Sequence, residues 1–198
     1  MTVRVVIAED EAIIRLDLKE TLEEEGYEVV GETGRGDEAV ALVKEHKPDI
    51  AILDIKMPGL DGLEAAREIA GERRAAVLIL TAFSQKDLVQ QARDAGALAY
   101  LVKPFQKSEL IPAIEVALGR FAEAQALERE VQSLEEQLQT RKIVDRAKGM
   151  LMDRHHLNEN DAFSFIQKTA MRQRQTMKAV AEQIIAGDLV PPAQPSTD

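Results

Sequence analysis

The chain has 198 residues, enough for one large domain or two small ones, and hydrophobic residues make up 45% of it. No apolar run approaches the roughly 20 residues that a membrane-spanning helix needs, and the first residues enter a strand pattern directly instead of a signal peptide. The absence of cysteine excludes disulfides, thiolate metal sites and a cysteine nucleophile. A cytoplasmic protein without membrane contact is therefore the simplest expectation.

The formal net charge of −10 is unevenly distributed along the chain. Residues 1–120 carry 15 basic and 23 acidic side chains, and residues 121–140 carry one Arg and five Glu. Residues 141–187 carry nine basic and five acidic side chains. The total argues against a nucleic-acid partner, but this asymmetry favours a polyanionic partner for the C-terminal part.

Five short apolar runs, rich in Val, Ile and Leu, recur through the first half of the chain. Nearly unbroken runs of this kind predict parallel strands that are buried on both faces. They occupy residues 3–8, 27–31, 50–53, 76–80 and 99–102. Amphipathic helical patterns separate the runs and follow the last one. The alternation predicts an α/β fold, and we expect a flavodoxin-like (βα)5 parallel sheet of order 2-1-3-4-5 with a crevice between strands 1 and 3.

A long helix is predicted to begin at Lys107 and to continue to about residue 140. Pro112 lies in its first turns, and Gly119 is the one weak point. Residues 121–140 form a linker with a short heptad seam. The seam residues are Leu127, Val131, Leu134 and Leu138. Two interpretations stay open, a homodimer contact through the seam and an exposed helical linker with an apolar stripe.

Three more helical segments are predicted after the linker. They lie at residues 143–154, 160–171 and 176–186. Each has an apolar face that it cannot bury alone, so we expect a small all-α three-helix bundle over residues 141–187. Phe163 and Phe165 are expected in the core of this bundle. Residues 188–198 are predicted to form a flexible tail.

Polar side chains follow four of the predicted strands at the points where the strands end. They are Glu9 and Asp10 after strand 1, Asp54 after strand 3, Thr81 after strand 4 and Lys103 after strand 5. These side chains should meet at the carboxyl edge of the sheet, where open α/β folds bind ligands. Three carboxylates in one crevice repel one another, and a divalent cation relieves that repulsion. Mg²⁺ is the expected ion, because it accepts carboxylate, water and phosphate oxygens together.

The carboxylates suit phosphoryl transfer, which requires positioning and charge neutralisation. Asp54 is the predicted nucleophile, since a carboxylate that is ionised at neutral pH needs no general base. Asp10 and Asp54 are predicted to bind Mg²⁺ directly. The Lys56 backbone carbonyl is predicted to complete the ligand set, and Glu9 to act through a bound water.

Lys103, Thr81 and the Ala82 backbone N–H are predicted to contact the phosphoryl oxygens. Each residue type has a more ordinary explanation when it is taken singly. A lone Asp at a strand end is more often a helix cap, a Thr is a good strand former, and a Lys before Pro is usually solvated. Their combination at the ends of four different strands favours the functional interpretation.

A set of short motifs accompanies these residues. The motifs are Glu9-Asp10, residues 54–62 (DIKMPGLDG), Thr81-Ala82 and residues 103–105 (KPF). Through them residues 1–120 resemble the receiver domain of two-component response regulators. The resemblance implies phosphorylation of Asp54 by a sensor histidine kinase and a cis peptide bond between Lys103 and Pro104. It also implies that Tyr100 is the aromatic switch residue, where composition alone favours an ordinary strand aromatic.

A second resemblance concerns the C-terminal region. Its matching residues are Arg141, residues 146–152 (RAKGMLM), Ala162, Phe163, Ala170, Val180 and Ala181. Through them residues of about 135–187 resemble the ANTAR domain, an RNA-binding antiterminator module of some response regulators. The resemblance implies that the region binds RNA hairpin loops near terminators and promotes transcription antitermination. Met171 and Arg174 depart from the family, which more often has a basic residue and an Asn there.

Five basic residues flank the apolar faces of the predicted bundle. They are Arg141, Arg146, Lys148, Arg172 and Arg174. Together they are candidates for an RNA-binding surface that contacts phosphates. For any one of them, a solvated helix charge is the more ordinary explanation.

Three other output functions compete with RNA binding. A DNA-binding helix-turn-helix is the main alternative, because residues 176–185 resemble its first helix, but Pro191 and Pro192 stand where the recognition helix should follow. An enzymatic output is not expected, since His155 and His156 lie beside no convincing carboxylate cluster. A phosphorelay protein with a purely structural bundle is the third alternative.

Overall fold

The computed structural model describes residues 2–82 and 86–191. The chain divides into two compact units, Met1–Ala126 and Leu127–Asp198. The predicted boundaries of domains and linker stay predictions. Residues 192–198, which belong to the predicted tail, lie outside the described residues.

In the described part of the first unit, five strands alternate with four helices before a long helix begins. The strands are β1 (Arg4–Ala8), β2 (Glu28–Thr33), β3 (Ile50–Asp54), β4 (Ala76–Thr81) and β5 (Ala99–Val102). The helices are α1 (Ala12–Glu24), α2 (Gly36–His46), α3 (Gly62–Gly71) and α4 (Lys86–Asp94), followed by α5 (Lys107–His155). Each predicted strand is present, with ends that differ by at most two residues.

The five strands form one parallel sheet in the order β2-β1-β3-β4-β5. This order confirms the predicted flavodoxin-like topology. The strands β1 and β3 are neighbours, with Ala8 paired to Leu53, so their carboxyl ends lie side by side. The crevice at this edge therefore receives the residues that follow both strands.

Successive residues of each strand enter two different cores, because side chains alternate across a sheet. Leu53 belongs to the core that α2, α3 and α4 cover, and Ile52 belongs to the core that α1 and α5 cover. Both side chains are fully buried. A fully buried aliphatic side chain contributes about 1.5–3 kcal/mol, so burial on both faces explains why the strands are nearly unbroken apolar runs.

Helix α5 continues without interruption from Lys107 to His155. The sequence predicted a helix to about residue 140 and a separate segment at 143–154, but both belong to this single helix. The physical reason is that residues 121–148 contain neither Pro nor Gly, so nothing in them ends a helix. Gly119 does not interrupt the helix either.

The second unit contains the last part of α5 together with α6 (Glu159–Gln173) and α7 (Met177–Ala186). Asn158 and Thr176 cap the last two helices by accepting hydrogen bonds from the N–H groups of Asp161 and Ala179. The three apolar faces pack into one core, which confirms the predicted three-helix bundle. Its buried residues are Val144, Ala147, Leu151, Ala162, Ile166, Ala170, Val180, Ala181 and Ile184. Within the described residues, the helices lack an apolar stretch long enough to cross a bilayer.

Candidate phosphoacceptor site

Three carboxylates meet at the carboxyl ends of β1 and β3. Glu9 is fully buried, Asp54 is 6% exposed, and Asp10 lies at the surface. Each offers an oxygen within 4.8 Å of the others. The sheet order places these residues together, because β1 and β3 are adjacent and run in the same direction.

Lys103 supplies the positive charge of this site. Its Nζ lies 3.1 Å from Oδ1 of Asp54 and donates a hydrogen bond to Oε2 of Glu9. The Lys103 backbone N–H donates to the carbonyl of Thr81 at 2.7 Å, which fixes the end of β5 against β4. The peptide bond between Lys103 and Pro104 is cis, as the family resemblance implied.

Burial raises the pKa of Asp54, and the nearby Lys103 ammonium opposes this increase without cancelling it. Burial also raises the pKa of Glu9, again against the effect of Lys103. For Lys103 itself, burial alone would lower the pKa. The hydrogen bond to Glu9 and the charge of Asp54 outweigh burial, so the pKa of Lys103 is raised. The ammonium is therefore held in its charged form between two carboxylates.

The loop that carries Glu9 is fixed by contacts of its main chain. The Glu9 N–H donates to the carbonyl of Thr33 at 2.9 Å, and the Arg15 guanidinium donates to the carbonyl of Glu9. The Glu11 N–H donates to Oε1 of Glu9 at 3.2 Å. Sequence reasoning missed Arg15, although its position in the first turns of α1, six residues after Glu9, could have indicated a contact back to this loop.

The ligand set fits a magnesium ion. It consists of hard carboxylate oxygens, and Mg²⁺ binds through one or two carboxylates while it keeps several waters. The structure brings Asp10, Asp54 and Glu9 together, as predicted from the sequence. Lys56 lies two residues after Asp54 in the loop between β3 and α3, and the role of its carbonyl stays a prediction.

Thr81 and Tyr100 lie on the two strands at the far side of the site. Thr81 ends β4 and is 1% exposed, and the next residue, Ala82, is exposed. Tyr100 is half-buried on β5, pairs with Ile79 in the sheet and packs against the core beneath α2, α3 and α4. Ile79 and Thr81 are two residues apart on one strand, so Tyr100 and Thr81 lie on the same face of the sheet.

The candidate RNA-binding residues of the second unit differ in their surroundings. Arg141, Arg146, Arg172 and Arg174 are exposed. The side chain of Lys148 is only 16% exposed, and its Nζ lies 2.9 Å from Asp145 and 2.8 Å from Glu159. These two carboxylates raise the pKa of Lys148. Lys148 therefore ties α5 to the start of α6.

Phe163 contradicts the expectation that both aromatic residues of the bundle lie in its core. Phe165 packs against the core, but Phe163 is 42% exposed. Ala162 and Ile166 are four residues apart, so their side chains lie on the same side of α6 and face the core. Phe163 follows Ala162 directly, and the rotation of about 100° between successive helix residues turns its side chain away from the core. Phe163 instead lines a groove beside α5.

If α7 is the first helix of a helix-turn-helix, a recognition helix has to follow it. In the described residues that follow, up to Pro191, no helix forms, and Gly187 ends α7 in a left-handed conformation with φ of 88°. The part of the chain that the structure describes therefore contains no recognition helix after α7.

Comparisons with known proteins agree with this arrangement. The family model described as "Response regulator receiver domain" matches residues 5–115, and the model described as "ANTAR domain" matches residues 132–185. "Transcriptional regulatory protein PdtaR" of Mycobacterium tuberculosis is 62% identical over 182 residues, which cover 92% of this chain and 89% of that protein. "Chemotaxis protein CheY" of Thermotoga maritima is 42% identical over 112 residues, which cover 56% of this chain and 93% of that protein. The receiver domain of the response regulator NarL from M. tuberculosis superposes with a TM-score of 0.57 at 32% identity, covering 60% of this chain and 97% of that domain.

Proposed function

The chain belongs to the response regulators that join a receiver domain to an ANTAR domain, and on this basis we propose that Asp54 is the residue that accepts the phosphoryl group. The protein is a phosphorylation-controlled regulator with an RNA-binding antiterminator output. The observation that carries the proposal is the site itself, where the carboxylates of Glu9, Asp10 and Asp54 lie within 4.8 Å and Lys103 pairs with Asp54. The partner kinase is a histidine kinase.

Asp54 attacks phosphorus through a carboxylate oxygen. A bond from phosphorus to that oxygen forms as the bond to the kinase histidine nitrogen breaks, and the released imidazole keeps the electron pair and takes up a proton. Lys103 stabilises the negative charge of the transferring group, and the Thr81 hydroxyl and Ala82 N–H donate to a further oxygen. The raised pKa of Lys103 supports this role, because the side chain stays charged.

Asp10 and Asp54 hold Mg²⁺ directly in this proposal, with the Lys56 carbonyl, and Glu9 acts through a bound water. When bound, the ion neutralises the carboxylates and one phosphoryl oxygen. Glu9 is fully buried and hydrogen-bonded to Lys103, which supports an indirect role for it. Asp10 lies at the surface, where it is accessible to a hydrated ion.

Tyr100 is the proposed switch residue. Phosphorylation adds charge and acceptor oxygens next to Thr81, and a movement of Thr81 changes the space on the sheet face that it shares with Tyr100. Thr81 pairs with Val102 in the sheet, and Tyr100 lies two residues before Val102 on the same strand. This position of the half-buried Tyr100 supports the coupling. Tyr100 would then turn further inward.

The output domain binds RNA, and we propose that its targets are hairpin loops near terminators. The exposed Arg141, Arg146, Arg172 and Arg174 are the proposed phosphate contacts, with Lys148 in a supporting position. We further propose that this domain has no catalytic activity and that the protein acts in the cytoplasm, where nascent RNA is available. The match to the ANTAR model does not favour the DNA-binding alternative.

The apolar stripe of α5 supports a homodimer. Its four residues, Leu127, Val131, Leu134 and Leu138, are each 52–64% exposed. Two heptads give only a short seam, so we propose a weak dimer that forms along α5. Sedimentation equilibrium should detect it, and Val131→Asp should abolish it, whereas Gln132→Asp beside the stripe should not. A monomeric wild-type protein with and without a phosphoryl mimic would exclude the dimer.

Labelling with a phosphodonor tests the phosphoacceptor. The wild-type protein, incubated with radiolabelled acetyl phosphate and Mg²⁺, should carry the label on the peptide that contains Asp54, and Asp54→Asn should not be labelled. Asp61→Asn is the matched control, because Asp61 lies nearby and Asn also caps a helix. A label on another aspartate would exclude Asp54.

Crosslinking and sequencing of bound nucleic acid tests the output. Recovery of RNA hairpins, with a yield that depends on a phosphoryl mimic at Asp54, is the expected result. Binding should weaken steeply with salt, because phosphate contacts release counterions. Recovery of duplex DNA would favour the helix-turn-helix alternative instead.

A further inference from the structure

The groove beside Phe163 lies entirely within the second unit. Residues 133–148 of α5 form one wall, and Phe163 of α6 and Met177 of α7 contribute to the other. Its volume is about 610 Å³. This size falls within the range of pockets that hold small organic groups, about 300–1,000 Å³.

The groove combines an aromatic face with hydrogen-bonding groups. Phe163 is 42% exposed, and Val144 and Met177 extend the apolar surface around it. Polar groups line the α5 wall, and they offer both donors and acceptors. They are Ser133, Glu136, Gln137, Thr140 and Asp145. An apolar platform with a polar wall is the environment that a nucleobase requires, since its faces stack and its edge forms hydrogen bonds.

The charges of the groove argue against a phosphate as its occupant. Glu136 and Asp145 are acidic, and the ammonium of Lys148 is already paired with Asp145 and Glu159 at less than 3 Å. A phosphate would be repelled by these carboxylates, but the N–H groups of a base can donate to them. Arg141 is different, because its side chain is 81% exposed and its ion pair with Asp145 is as long as 3.9 Å. It is available for a phosphate at the rim of the groove.

We infer that this groove receives one unpaired base of the RNA loop, which stacks on Phe163 while Arg141 contacts a flanking phosphate. The inference rests on the RNA-binding output and adds to it the residue that reads the loop. Proteins that recognise RNA by sequence bind splayed bases of loops and stack them on aromatic side chains. Phe163 is the exposed member of the two aromatic residues in this unit, so it is the one that can act as a stacking surface.

A selection experiment tests this inference on the full-length protein, activated with beryllofluoride and Mg²⁺. The probe is a pool of RNA hairpins with a fixed stem and a randomised loop. The wild-type protein should enrich loops that share one base at a fixed position. Phe163→Leu should bind the enriched hairpins about 5- to 150-fold more weakly, which corresponds to the loss of one base–aromatic stack. Phe163→Tyr, which keeps an aromatic face, should retain most of the affinity.

Two controls separate stacking from other effects. Met152→Ala removes a side chain of similar exposure, 39%, outside the groove, and it should leave RNA binding unchanged. Removal of the base that the enriched loops share should weaken binding to the wild-type protein. The same removal should not weaken binding to Phe163→Leu any further. The salt dependence of binding should be the same in both proteins, because Phe163 makes no phosphate contact.

The possible failures are distinguishable. If the wild-type protein enriches hairpin loops and Phe163→Leu, with an unchanged circular dichroism spectrum, binds them equally well, the stacking inference is wrong and RNA binding stands. If the wild-type protein enriches no hairpin, the RNA-binding function fails and the inference fails with it. The inference would also be overturned if the loss of affinity from the base removal and the loss from Phe163→Leu simply add when the two changes are combined. Additivity would show that the base and the Phe163 side chain do not interact.

Discussion

The backbone carbonyl of Asp54 lies directly against Gly62. A Cβ atom on residue 62 would be 1.8 Å from the Asp54 oxygen and 3.0 Å from Cα of Ile55. The Gly62 N–H also donates to the carbonyl of Ile55 at 2.9 Å. Helix α3 therefore begins in contact with the main chain of the proposed phosphoacceptor, at a distance that no other residue type permits.

Gly62→Ala should displace the end of β3 and lower the free energy of unfolding of the first unit by about 2 kcal/mol or more, because the clash involves backbone atoms. Tyrosine fluorescence measures this unit selectively, since the two tyrosines, Tyr27 and Tyr100, both belong to it and the chain has no Trp. Labelling of Asp54 should fall as well. Gly71→Ala in the last turn of α3 is the matched control, because a Cβ there meets nothing within 4 Å. It should be neutral or stabilising by up to about 1 kcal/mol. Equal effects of both substitutions would contradict the prediction.

The sequence predicted the residues at the strand ends but not their support. Asp54 and Lys103 could be predicted because a strand end is a local feature, and parallel strands bring their carboxyl ends to one edge of the sheet. The contact of Gly62 with Asp54 depends on the angle at which α3 returns to the sheet. The hydrogen bond from Arg15 to Glu9 depends on a side-chain rotamer. Neither quantity is encoded in hydrophobic periodicity.

Lys103→Met should strongly destabilise the first unit in the absence of divalent cations. The substitution leaves Glu9, which is fully buried, and Asp54 without their cation, and breaking a buried ion pair costs about 3–5 kcal/mol. Glu9→Gln removes one of the two charges, so the double variant Lys103→Met with Glu9→Gln should be more stable than Lys103→Met alone. The measurement is urea unfolding in the presence of a chelator, monitored by tyrosine fluorescence. Strictly additive effects of the two substitutions would mean that the ion pair contributes nothing to stability.

The organisation of the output bundle could be predicted, but its surface could not. The spacing of apolar residues in α6 correctly placed Ala162 and Ile166 in the core. Phe163 was misplaced because helical periodicity alone does not set the width of a buried face, and one residue corresponds to about 100° of rotation. Lys148 similarly has a helical position typical of a solvated charge, and only the packing of α6 brings Glu159 to it.

Tyr27 should titrate well above an ordinary tyrosine. Burial and the hydrogen bond from its hydroxyl to Glu115, at 2.8 Å, raise the pKa of Tyr27 to about 12 from an ordinary value of 10. Between pH 10 and 12 the folded protein then holds a proton on Tyr27 that the unfolded chain has lost. The stability that this pKa shift contributes is fully present below pH 10 and is lost as the pH rises toward 12. Absorbance titration of Tyr100→Phe observes Tyr27 alone. Glu115→Gln in that background should lower the pKa of Tyr27. A titration midpoint near 10 in the Tyr100→Phe variant, which keeps Glu115, would contradict the assignment.

Arg174 ends α6 in a left-handed conformation, with φ of 54° and ψ of 39°. The Gln175 N–H donates to the carbonyl of Ala170 at 3.0 Å and completes the helix end. A left-handed residue with a long side chain is strained, and Asn tolerates this conformation better. The departure of this chain from the Asn that is more frequent in the family therefore falls at a position where backbone conformation favours Asn.

Arg174→Asn should stabilise the second unit by about 0.5 kcal/mol, which would slow amide hydrogen exchange in α6 and α7 about twofold. The same substitution should weaken RNA binding and reduce its salt slope by about one, because a phosphate contact is lost. Arg172→Asn is the matched control. It lies inside α6, where Asn is a poorer helix former than Arg, so both stability and RNA binding should decrease. If Arg174→Asn lowers the stability of the second unit, the arginine side chain makes a contact that stabilises the helix end by more than the backbone strain costs. Arg174 would then favour both folding and RNA binding, and the prediction would be wrong.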